Sequence, residues 1–85
     1  MAYAVRVYFE TFGNHRPSRI IGQVRRVADE FGSPGIVGKR GQTNARILAS
    51  GYLRIVWPSR SLARRFQNAV EEFWGAYVST RRFRV

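Results

Sequence analysis

Residues 3 to 9, Tyr-Ala-Val-Arg-Val-Tyr-Phe, alternate with a period of two, placing Val5, Val7 and Phe9 on one side and Ala4, Arg6 and Tyr8 on the other. A strand with one apolar side must find an apolar cover, and the following segment offers it. Ile20, Val24, Val27 and Phe31 stand at i, i+4, i+7 and i+11, a single stripe along a helix. Ser18 is a candidate N-cap, with Pro17 as the first helical residue the alternative, and Gly32-Ser33-Pro34-Gly35 ends the helix. Tyr52 to Trp57 is a second clear strand, with Leu53, Ile55 and Trp57 on one face and Tyr52, Arg54 and Val56 on the other. Pro58 stops it. Ser59 or Ser61 then caps a second helix whose apolar stripe is Leu62, Phe66, Ala69, Val70, Phe73 and Tyr77. Thr80 to Val85 alternates again, with Arg82 and Arg84 opposite Phe83 and Val85.

The stretch from Gly35 to Ser50 has no such clear period. Its strand is either Ile36 to Lys39, or Ala45 to Ala49 with Ser50-Gly51 as a hairpin turn. With either choice the order is strand, helix, strand, strand, helix, strand. That order predicts an α+β fold of the ferredoxin-like βαββαβ type, a four-stranded antiparallel sheet with both helices on one face. Residues 1–85 form one domain in this reading, since a chain of this length supports one core. Apolar residues make up 45% of it, enough for that core, and the lack of cysteine leaves packing alone to stabilise it.

Charge then selects among functions. Fifteen basic residues stand against five acidic ones, a net charge of +10, and every basic residue except Lys39 is arginine. A surplus of this size opposes compaction by self-repulsion, and a polyanion relieves it. Arginine adds a planar fork for phosphates and a flat face for bases. If the helices cover the face bearing Val5, Val7, Phe9, Leu53, Ile55 and Trp57, the other carries Arg6, Tyr8, Tyr52, Arg54, Arg82 and Arg84. Rings among guanidinium groups on an open sheet suit single-stranded nucleic acid. A basic hairpin loop with Lys39, Arg40 and Arg46 is expected to touch phosphates as well.

The same residues resemble the RNA recognition motif family. Ser50-Gly51-Tyr52-Leu53-Arg54-Ile55-Val56-Trp57 is similar to that family's third-strand signature at Gly51, Tyr52, Ile55 and Trp57, and departs from it at Ser50, Leu53 and Arg54. Val7-Tyr8-Phe9-Glu10-Thr11-Phe12 resembles its first-strand signature, with Thr11 where the family has Asn. The resemblance implies a ferredoxin-like fold, RNA binding, and base stacking on Tyr8 and Tyr52, with Arg54 at the third stacking position.

Other chemistries are poorly served. Gly32-Ser33-Pro34-Gly35-Ile36-Val37-Gly38-Lys39-Arg40 has neither the spacing of a phosphate-binding loop nor a Ser or Thr after the lysine. His15 is the one histidine, and the five acids (Glu10, Asp29, Glu30, Glu71, Glu72) include two adjacent pairs that diverge by about 100° on a helix. Neither a catalytic site, a metal nor a cofactor is expected. No apolar run reaches the roughly 20 residues of a membrane span, no leader peptide is apparent, and a cytoplasmic protein without membrane attachment is the expectation. Two rival readings place a second copy on the open face, as a homodimer, or an acidic partner protein on the basic surface, as for a small inhibitor module.

One charge pattern needs an explanation. Each helix has arginines at its start (Arg16 and Arg19; Arg60, Arg64 and Arg65) and acids at its end (Asp29 and Glu30; Glu71 and Glu72), against the helix dipole. Antiparallel helices would pair these ends through ion pairs. The alternative is that the helix starts grip phosphates.

Overall fold

The computed structural model describes residues 2–31 and 43–85. Six elements follow in order: β1 (Tyr3–Phe9), α1 (Pro17–Glu30), α2 (Asn44–Ser50), β2 (Tyr52–Trp57), α3 (Arg60–Trp74) and β3 (Val78–Arg84). The strands form one sheet in the order β2-β1-β3, and β1 pairs antiparallel with both neighbours. The class is α+β, as expected. The finer architecture is not: the described residues form a three-stranded sheet with three helices, in place of four strands and two helices.

The correction falls on Ala45–Ala49, one of the two segments offered as a strand. It lies within α2. Ala, Arg and Leu all favour helix, and five residues with a single β-branched member, Ile47, are too few for periodicity to decide. The caps decide it. The Thr43 side chain accepts a hydrogen bond from the Arg46 N–H at 3.3 Å, and Gly51 closes the helix at φ +87°. Ser50-Gly51 is therefore a helix end, not a hairpin turn. The other candidate, Ile36 to Lys39, lies outside the described residues. Because Gly51 sits in the left-handed region, where a Cβ costs roughly 1 kcal/mol, Gly51→Ala is expected to lower stability by about that amount, read from chemical denaturation. An unchanged midpoint would contradict the cap.

The long helices begin at residues the sequence offered, though Ser18 lies inside α1 and is not its N-cap, so the Pro17 alternative holds. Pro17 opens α1 behind Arg16, which makes no side-chain cap, and the Ser59 side chain caps α3 by accepting from the Leu62 N–H at 3.2 Å. From α1 come the buried side chains Ile20, Ile21, Val24 and Ala28, and from α3 Ala63, Phe66 and Val70. They meet Val5 and Val7 of β1, Leu53, Ile55 and Trp57 of β2, and Ile47 of α2 in one cluster. Trp57 and Phe66 pack with ring centroids 5.0 Å apart. The Trp57 indole N–H is buried with no acceptor among the described residues, a cost of about 1–3 kcal/mol that the surrounding packing must offset. Phe73, expected in the apolar stripe, is instead 69% exposed.

The opposite ends of α1 and α3 do meet, but through rings. His15 stands edge-on to Trp74 and Tyr77, at 6.1 and 5.3 Å, and the Arg65 guanidinium lies over the Phe31 ring at 5.7 Å. Among the described residues no ion pair joins Arg16 or Arg19 to Glu71 or Glu72, or Arg60 or Arg64 to Asp29 or Glu30. Glu71 accepts from the Thr80 hydroxyl at 2.6 Å instead. The ion pairs expected between the helix ends are thus not formed among the described residues.

Candidate nucleic-acid interface

Strand register fixes which side chains share the face turned away from the core. On β1 these are Ala4, Arg6 and Tyr8. Across the ladder, β2 adds Val56, Arg54 and Tyr52, and β3 adds Phe83, Arg81 and Ser79. No described helix covers this face: Arg6, Tyr8, Tyr52 and Arg54 are half-buried, and Arg81 and Phe83 are exposed.

The register has an electrostatic consequence. Arg6 stands directly opposite Arg54 on one side and Arg81 on the other, so three arginines form a row across all three strands. Strands lie about 4.8 Å apart, and like charges directly opposite destabilise a sheet. A row of this kind is unfavourable on its own and favourable beneath an anion.

Rings surround the centre of the row. The Arg6 guanidinium lies 4.8 Å from the Tyr52 ring centroid and 5.0 Å from that of Phe83, both cation–π contacts. Its Nη1 donates to the Tyr8 hydroxyl at 3.5 Å, and Tyr8 and Tyr52 pack at 5.6 Å with a tilt of 50°. The hydrogen bond with Tyr8 raises the Arg6 pKa above its already high ordinary value, with burial acting the other way, so the group stays cationic throughout.

The expected site residues therefore divide. Arg6, Tyr8, Tyr52 and Arg54 come together on this face. Arg82 and Arg84 do not. They pair with Val5 and Tyr3 and so lie on the helix-covered side, where Arg82 donates to Gln67 of α3 at 3.2 Å. Arg46 is exposed on α2, on a helix and not on a hairpin loop. Lys39 and Arg40 lie outside the described residues. The sequence reading missed Arg81 and Phe83 by taking Phe83 as the inward residue. Val78 held the signal: it is buried, starts β3, and sets the inward phase to 78, 80, 82 and 84. Arg82 is tolerated inward because β3 is an edge strand, where the stem can cover apolar surface while the head reaches Gln67.

Compared with known proteins, the chain matches no family model, no curated protein and no solved structure. The likeness to the RNA recognition motif thus rests on the strand residues alone. Among the described residues no three His, Cys, Asp or Glu side chains are grouped to hold a metal, and no helix is long and apolar enough to cross a membrane.

Proposed function

We propose that this chain binds single-stranded RNA or DNA without catalysing a reaction, through the sheet face bearing Arg6, Tyr8, Tyr52, Arg54, Arg81 and Phe83. The observation that supports it is the cross-strand arginine row set among three rings, on a chain of net charge +10. Guanidinium groups hold phosphates, while rings stack on bases that a duplex keeps hidden. A cytosolic setting fits the absence of cysteine.

The arginines at the helix starts remain a second source of positive charge, because no ion pair among the described residues neutralises them. Of these, Arg65 lies over the Phe31 ring, whereas the sheet face sets its arginine row among three rings. Tyr8→Ala and Tyr52→Ala should each weaken binding to a single-stranded oligonucleotide by about 1–3 kcal/mol, measured by fluorescence anisotropy, with the fold retained. Full affinity in both, together with a loss in Arg16→Gln/Arg19→Gln or Arg60→Gln/Arg64→Gln, would move the site to the helix ends. Capture of an acidic protein with no affinity for any oligonucleotide would favour the interaction-module reading instead.

A further inference from the structure

We propose that Arg6 is the binding anchor of this face: its guanidinium, clamped between Tyr52 and Phe83, receives a planar pair of acceptors from the bound strand. The pair is either two non-bridging oxygens of one phosphate or the O6/N7 edge of a guanine. This inference rests on the nucleic-acid reading above and deepens it.

Three observations converge on Arg6. It occupies the middle strand at the middle of the arginine row, with an arginine directly opposite on each side. Its head is held on two sides by rings, at 4.8 and 5.0 Å, which restricts the rotamers of a side chain that is usually free to sample many. Its engagement is incomplete: the Nη1 bond to Tyr8 is its hydrogen bond among the described residues, and its Nε is buried without an acceptor there, which leaves the Nη donors for a ligand. A guanidinium carries five donors in a fixed fork. One already positioned, with Nη donors unused, loses little entropy on taking a two-pronged acceptor. Both proposed acceptors match that fork.

The rings have a part in the same geometry. With Arg6 occupying a face of Tyr52 and of Phe83, these two rings first serve to fix the fork. Tyr8, which meets Arg6 through its hydroxyl, keeps its ring faces clear of that guanidinium for a base.

The test compares the wild-type chain with Arg6→Lys and Phe83→Leu, titrated by anisotropy against a thymidine oligomer and the same oligomer with one central guanosine. Lysine keeps the charge and loses the planar fork. Arg6→Lys is expected to bind on the order of tenfold more weakly with an unchanged salt slope, and Phe83→Leu severalfold more weakly. Equal losses on both oligomers identify a phosphate as the acceptor. A loss confined to the guanosine-containing oligomer identifies the guanine edge. If Arg6→Lys fails to fold, Phe83→Leu decides by the same readout. Wild-type affinity in the folded variants on both oligomers overturns this inference alone. Failure of the wild-type chain to bind either oligomer overturns the underlying reading, and this one with it.

Discussion

Phe66→Ala is expected to destabilise the chain by about 3–5 kcal/mol, enough to leave much of it unfolded at physiological temperature. The side chain is fully buried and packs on Trp57, and α3 is the helix that packs against all three strands. Truncation removes ring burial and leaves a cavity beneath the sheet that rigid neighbours cannot close. A domain of 85 residues without disulfides has little margin to absorb this. Phe73→Ala is the control. Seven residues further along the same helix, Phe73 is 69% exposed, and its loss should cost within about 0.5 kcal/mol. Urea denaturation of both variants checks the pair. Comparable losses at the two positions would show that the last turn of α3 packs into the core as its middle does.

Arg81→Gln is expected to raise stability and lower affinity together. Arg81 stands opposite Arg6, is exposed, and forms no ion pair among the described residues. Removing one charge from the row should relieve about 0.2–1 kcal/mol of cross-strand repulsion. The same change removes a phosphate contact. In Arg54→Gln/Arg81→Gln, the salt slope for single strands should fall in magnitude by about 1.4, or 0.7 per contact. A purely structural role for the row would give the reverse, with stability falling and affinity unmoved. Thermal melts and a salt series on the same preparations separate the two.

Much of this was legible in the chain. Tyr3–Phe9 and Tyr52–Trp57 show their strands because each turns one face to the core, with Val5 and Val7 buried in β1 and Leu53, Ile55 and Trp57 in β2, which imposes a period of two. α1 and α3 show themselves through stripes that must meet that face. Their opposed ends meet as expected, yet through His15 with Trp74 and Tyr77 and through Arg65 with Phe31. Sequence spacing cannot show which of several nearby groups will make the contact. α2 was hidden because seven residues offer under two turns, so Thr43 and Gly51 held more information than the apolar pattern. At β3 the phase was lost because the strand starts at Val78, earlier than its arginines suggest, and an edge strand accepts polar residues inward. Two thirds of the candidate site, Arg6 with Tyr8 and Arg54 with Tyr52, follows from alternation. Arg81 and Phe83 needed the register.

The most direct test is a titration of the whole chain against matched single- and double-stranded oligonucleotides across a salt series starting near 50 mM. The expected result is preferential binding of the single strand, weakening with salt at a log-log slope of magnitude about 3 to 6. No measurable binding to any oligonucleotide at the lowest salt would contradict the nucleic-acid reading, and tighter binding to the duplex would contradict the open sheet face as its site.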